Sequence, residues 1–311
     1  MASYAAMFGA RRSRHGGPSV VDALIEIAGP TLSAAINPFG AELTHLRDAD
    51  GRELMTDADP AFWTGHAPIL FPIVGRLNGD VLHIAGAAYP MRQHGFARRL
   101  PFAVTEHGAH RAGFRLTDNP DTRAVYPYAF VLEIGFAIEV ATLTMTARIA
   151  NPGAVPLPAS FGWHPAFAWP LPYGEPRAAH RLTFNADEPG ALRELGQDGL
   201  IAEGERGSPL DGRDLLLHDA LFADDALIWD PVHSSRVTYG AAQGPVLDIE
   251  FPDTPKLGIW TKPGARYICV EPWHGIADPD GYRGDFRDKP GVFTIAPGED
   301  WHCSMSVTLR A

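Results

Sequence analysis

Glu271 is the residue from which a chemistry can be read. It follows Tyr267-Ile268-Cys269-Val270, an apolar run with the aromatic and β-branched character of a buried strand, and precedes Pro272 and Trp273. Proline has no N–H to give to a ladder, so regular pairing is expected to end there. That would leave a carboxylate at the lip of a β-core beside an indole. An apolar neighbour disfavours the charged form of a carboxyl and lifts its pKa toward the range of a general base. The alternative is an edge glutamate that closes a strand and does nothing more.

Other segments set polar groups in apolar surroundings. His164 lies in Phe161-Gly162-Trp163-His164-Pro165-Ala166-Phe167. In a strand, Trp163 and His164 project to opposite sides, and a hydrogen-bonded core histidine is the ordinary reading. Arg76 comes directly after Gly75 at the end of an apolar run. Its guanidinium either pairs with an acid or offers its fork to a polar ligand. His94 precedes Gly95, which suits a loop whose backbone passes close to something. Asp224 and Asp225 sit within a strand-like stretch, 221–229.

These residues must be positioned by short strands separated by turns. From residue 20 onward the chain alternates apolar runs with Gly, Pro and Asp punctuation. Strands are expected at 20–28, 32–36, 43–47, 81–89 (a hairpin turning at Ala85-Gly86), 114–117, 130–136, 143–149, 221–229, 237–239, 246–251, 257–261, 267–270, 293–296 and 301–310. Asp59-Pro60 should cap one helical turn over 57–63. Residues 171–215 read as loop-rich, with one short helix near 191–195. About twenty short strands with no break in pattern imply an all-β fold, a large antiparallel β-sandwich formed as a single domain over 19–311 after a flexible tail, 1–18.

Composition narrows the function. The net charge is −11 at pH 7, which argues against nucleic acid or an anionic membrane as partner. No apolar stretch reaches the length of a membrane span, and no signal-type apolar run follows Arg11-Arg12-Ser13-Arg14. Two cysteines, Cys269 and Cys303, in 311 residues are not a disulfide framework and fit a reducing, cytoplasmic compartment. No zinc ligand set is evident, and His302 and Cys303 would point to opposite faces of a strand. There is no phosphate-cradling glycine loop and no Gly-x-Ser-x-Gly elbow.

Four segments in order carry a specific resemblance: Phe71 to Gly79 (FPIVGRLNG), Gln93 to Arg98 (QHGFAR), Phe161 to Trp169 (FGWHPAFAW) and Cys269 to Asp278 (CVEPWHGIAD). Together with the opening 37–55, the chain resembles the aldose 1-epimerase (galactose mutarotase-like) family, and its variants are similar to the divergent bacterial branch. The resemblance implies a β-supersandwich with a sugar cleft on one sheet. It implies Glu271 as general base, His164 as general acid, and Arg76, His94 and Asp225 as substrate-binding residues. Trp273 and Trp163 would flank the apolar face of a pyranose. The implied reaction interconverts the α and β anomers of a hexose by ring opening, with no metal and no cofactor. The implied partner is a small-molecule sugar, an aldohexose or a hexose phosphate, for a monomer or homodimer. Two alternatives stay open. A hexose-6-phosphate 1-epimerase would need extra cations, for which Arg92, Arg98 and Arg99 are candidates. A non-catalytic carbohydrate-binding module would need no acid–base pair.

Overall fold

The computed structural model describes residues 23–252 and 254–311. The expected tail, 1–18, and the start of the expected first strand lie outside the described residues. The architecture is all-β and antiparallel. A nine-stranded sheet runs in the order Asp214–Leu216, Arg181–Phe184, Arg236–Gly240, Val246–Glu250, Asp300–Arg310, Thr142–Ala150, Val131–Glu139, Arg111–Thr117 and Ala103–His107. A seven-stranded sheet runs Phe161–Gly162, Tyr267–His274, Lys256–Trp260, Leu227–Trp229, Leu192–Leu195 and Ile201–Arg206, with Ala166–Ala168 also paired to Tyr267–His274. The first three strands, Ile25–Ala28, Leu32–Asn37 and Glu42–Asp48, form a smaller sheet.

The inner faces of the two large sheets meet. Phe184 of one packs on Trp229 of the other, ring centroids 4.9 Å apart, and Phe161 packs on Trp301 at 5.8 Å. The Tyr239 hydroxyl donates across the interface to the Ala168 carbonyl at 2.7 Å. The alternation of side chains that fills this core also creates a second surface. In Tyr267–His274, Ile268 and Val270 join the main core, whereas Cys269 and Trp273 belong to separate clusters on the other face. Leu227 and Trp229 point inward while Ile228 points outward; Leu257 and Ile259 point inward while Trp260 packs outward. Strands buried on both faces read as continuous apolar runs, and the outward face of this sheet becomes the floor of a cleft.

Local expectations held at several places and failed at others. The hairpin Val81–Ile84 and Ala87–Pro90 turns at Ala85 (φ 50°) and Gly86 (φ 80°), both left-handed as a tight hairpin requires. Asp59 caps a single turn: its carboxylate accepts from Ala61 N–H, and its carbonyl from Phe62 and Trp63 N–H. The helix expected near 191–195 is instead the strand Leu192–Leu195, because pairing with Ile201–Arg206 and Leu227–Trp229 outweighs the local preference. The expected strand over 221–229 is a 3₁₀ turn, Asp219–Phe222, followed by a strand only at Leu227–Trp229.

The most consequential difference concerns Pro272. Pairing does not end at it; the strand continues to His274, and Glu271 stands mid-strand opposite Gly258. Val270 N–H donates to Pro165 O, and Trp163 N–H donates to Pro272 O. Residues 270 and 272 therefore face the same neighbour, the segment 163–165 where that neighbouring strand is interrupted. The missing proline donor falls at the interruption, so it disturbs no regular ladder.

Candidate active site

The interruption that accommodates Pro272 also supplies His164. Flanked by Phe161–Gly162 and Ala166–Ala168, the segment 163–165 turns Trp163 into the main core and His164 onto the outward face. His164 Nε2 lies 3.1 Å from Glu271 Oε2, and the two side chains are 8% and 2% exposed. Both nonetheless line a cleft of about 370 Å³, within the size range of small-molecule sites. Trp63 stacks on the His164 ring at 5.0 Å, and Trp260 meets it edge-on at 6.0 Å.

Three further segments close the cleft. His94 (φ 63°) presents its ring edge-on to His164, centroids 5.7 Å apart. Its Nδ1 accepts from Gly75 N–H at 3.1 Å, while the backbone N–H of His94 donates to Gly75 O at 2.9 Å. The neutral ring therefore carries its proton on Nε2. Gly95 has φ 71°, and a Cβ there would sit 2.2 Å from the Phe71 carbonyl oxygen. Only glycine permits that approach, which fixes the loop bearing His94 and Arg98 against the core. Asp225 (φ 72°) lines the rim, one carboxylate oxygen accepting from Ala226 N–H at 2.8 Å.

The electrostatics follow from burial. Burial first, and then the Asp225 charge, push Glu271 well above the ordinary carboxyl value; Arg98 and the nearby Trp273 indole act in the opposite direction. Burial and the Arg98 charge lower His164 to about 3. Burial, His164, Arg98 and Arg99 hold His94 well below the ordinary imidazole value. Burial thus favours the neutral form of both imidazoles and of the Glu271 carboxyl.

Trp273 forms the floor beside Glu271. A Cβ on Gly258 would meet its ring at 2.5 Å, and one on Gly162 would meet its Cδ1 at 2.7 Å. The two glycines on the flanking strands leave the indole room to lie across the sheet. Trp163, expected beside the sugar, is instead buried in the main core, against Phe161 at 4.9 Å.

The structure thus brings Glu271, His164, His94, Asp225 and Trp273 to one cleft. It does not bring Arg76. That side chain pairs with Asp80, Nε to Oδ1 at 3.0 Å, and donates to the Asp198 carbonyl at 3.2 Å. It adjoins the lining residues Gly75 and Gly199 but is turned to Asp80, which a left-handed turn at Gly79 and Asp80 brings back to it. The cations that line the cleft are Arg98 and Arg99, and the charge of Arg98 acts on Glu42, Glu271, His94 and His164. Arg98 stood in the sequence as a candidate for a phosphorylated substrate; Trp63 and Trp260 were not singled out. Their only sequence signal is position: Trp260 sits opposite Cys269 in the ladder, two residues beyond Gly258. His164, Cys269 and Glu271 bring one donor atom each within 4.8 Å of one another, the one such metal-competent group among the described residues.

A family model described as Aldose 1-epimerase matches residues 23–278. Over 295 residues the chain is 30% identical to the plasmid Protein LacX of Lactococcus lactis subsp. lactis, covering 92% of this chain and 99% of that one. Among solved structures it is similar to a galactose mutarotase related enzyme from Lactobacillus acidophilus. That match has 31% identity and a TM-score of 0.87 over 93% of this chain and 98% of the other. A galactose mutarotase-like protein from Lactobacillus casei ATCC 334 matches with 27% identity and a TM-score of 0.86, over 93% and 100%.

Proposed function

The chain belongs to the aldose 1-epimerase family, and from that premise we propose that it interconverts the α and β anomers of a hexose by acid–base ring opening. The observation that carries this reading is the 3.1 Å contact between His164 and Glu271 on the wall of a cleft. In a cyclic aldose the anomeric hydroxyl and the ring oxygen are bonded to the same carbon. A base for one and an acid for the other must therefore stand side by side.

Glu271 takes the proton of the anomeric hydroxyl as His164 protonates the ring oxygen. The bond from the anomeric carbon to the ring oxygen breaks, and an aldehyde forms. Rotation presents its other face, and closure returns both protons with the roles reversed. Only protons move, so the reaction calls for no metal or redox group. The pair holds one proton in either arrangement, carboxyl with imidazole or carboxylate with imidazolium. The reactive arrangement is one transfer across the 3.1 Å contact from the resting one. His94 offers its Nε2–H and Asp225 its carboxylate to sugar oxygens, and Trp273 and Trp63 cover the apolar face of the ring. The use of two cysteines without a disulfide framework supports a cytoplasmic setting.

One observation favours a phosphorylated hexose as a second reading. Arg98 and Arg99 both line the cleft, and burial first, then the charges of Arg98 and Arg92, lower Arg99 to about 10. A dianion would offset those charges. Exchange spectroscopy with glucose, galactose and glucose 6-phosphate separates the readings. Faster exchange of the phosphorylated sugar supports the second. Binding of sugars without any anomer exchange would overturn both in favour of a binding module.

A further inference from the structure

We propose that Cys269, Glu271 and His164 form an inhibitory zinc site at the floor of the cleft, in which the metal takes the place of the sugar. Cys269 has no part in the proton transfers described above, yet it occupies the cleft face of the same strand. Cys269 and Glu271 are two residues apart and project from one side, and Ala166, opposite Cys269 in the ladder, follows His164 by two positions. The three donor atoms lie within 4.8 Å of one another. Zinc bonds of about 2.0–2.3 Å in a tetrahedron place donors roughly 3.3–3.8 Å apart. His164 and Glu271 are already at 3.1 Å, so closure around an ion requires side-chain shifts of about 1 Å and no change of strand register.

The chemistry of the set suits zinc. Imidazole nitrogen, thiolate and carboxylate are its ordinary ligands, and a three-ligand site leaves a fourth position for water. Charge also balances. Zinc with two positive charges binds the neutral His164 imidazole, the Cys269 thiolate and the Glu271 carboxylate, giving a complex of zero net charge. The thiol and the carboxyl each release a proton to solvent, so binding tightens as pH rises. A neutral complex avoids the cost of burying an unpaired ion. The charged and titratable groups facing the set are Asp225 and Arg98 around Glu271, Tyr267 beside Cys269, and His94 beside His164. Asp225 offsets the repulsion of Arg98 toward the incoming cation.

Because the ion would engage both the acid and the base, it would exclude the sugar. The inhibition measurement rests on the epimerase reading; the binding measurements do not. Zinc chloride titrated into the chelator-treated protein by calorimetry should bind with one strong site. Cobalt as a substitute should give a thiolate charge-transfer band, and zinc should inhibit anomer exchange competitively with sugar. Cys269→Ala should keep basal exchange within about threefold, lose the cobalt band and weaken zinc binding at least tenfold. Cys269→Ser, closer in size, serves if the alanine variant is unstable. Absence of zinc binding by the wild-type protein would overturn the proposal. So would undiminished zinc affinity in either cysteine variant. Zinc binding with a cobalt band but no anomer exchange would support the site while removing the epimerase reading.

Discussion

Gly258 stands directly opposite Glu271 in the ladder, and the Trp273 ring lies over it so closely that a Cβ there would be 2.5 Å from the indole. The glycine is thus a seat for the aromatic floor of the cleft. Its φ is not left-handed, so alanine meets no backbone strain and acts only through the indole. Gly258→Ala should cost about 1–3 kcal/mol of stability by overpacking. Tilting the indole should also raise KM for the sugar more than it lowers kcat. Denaturant unfolding with steady-state kinetics checks both. Unchanged KM would mean that Trp273 does not contact the sugar.

Glu271→Gln keeps size and hydrogen-bonding capacity but removes the basic oxygen. Turnover should fall about a hundredfold or more, while sugar affinity by calorimetry changes little, because the lost interaction exists only in the transition state. His164→Asn should behave alike. Wild-type exchange in Glu271→Gln would show that the base lies elsewhere.

The same two residues have opposite effects on pH-dependent stability. Glu271 is raised above its unfolded value near 4.5, so the folded state binds the extra proton and stability falls as pH rises from that value through the folded pKa. His164 is lowered from 6.5 to about 3, so the unfolded state binds the extra proton and stability falls as pH drops from 6.5 toward 3. Between about 4.5 and 6.5 the two contributions oppose each other. Buried His94, His66 and His180, also lowered, add a rise with pH in that window, so the test is the change from wild type: the slope of unfolding midpoint against pH should become more negative in His164→Asn and more positive in Glu271→Gln. Parallel profiles in the two variants would contradict the assigned directions.

Arg98 and Arg76 should differ sharply. Arg98 lines the cleft and favours the charged form of Glu271. Arg98→Met should raise the lower pKa of the kcat/KM profile and weaken sugar binding. Arg76, beside the cleft, is held by Asp80 and the Asp198 carbonyl. Arg76→Met should alter kcat/KM by no more than about threefold, as expected for a half-exposed ion pair. Equal losses in both variants would place the Arg76 guanidinium at the substrate.

Much of the candidate site is legible in the sequence, because each of these residues sits in a local pattern with a physical signature. Glu271 ends an apolar run, His94 precedes a glycine whose backbone approach admits no side chain, and His164 stands among aromatics. Pro272 misled because its missing donor was judged on its own strand. The consequence of that missing donor depends on whether the neighbouring strand is continuous at that point, and it is not. The partner of Arg76 was not legible, because adjacency to a glycine says nothing about an acid four residues on, returned to it by left-handed backbone at Gly79 and Asp80.

The sequence by itself determined the all-β class, the short-strand pattern and the family, since alternation, turn residues and motifs are local and ordered along the chain. Tertiary structure alone decided which polar groups meet. The contact between His164 and Glu271 joins residues more than a hundred positions apart. It depends on ladder register, and a shift of one residue would turn the cleft face of Tyr267–His274 inward. Burial then shifted the pair in opposite directions, because desolvation depends on everything packed around a group and not on its neighbours in the chain. The same register placed Cys269 beside the pair, where a thiol that reads as an ordinary buried residue becomes a possible metal ligand.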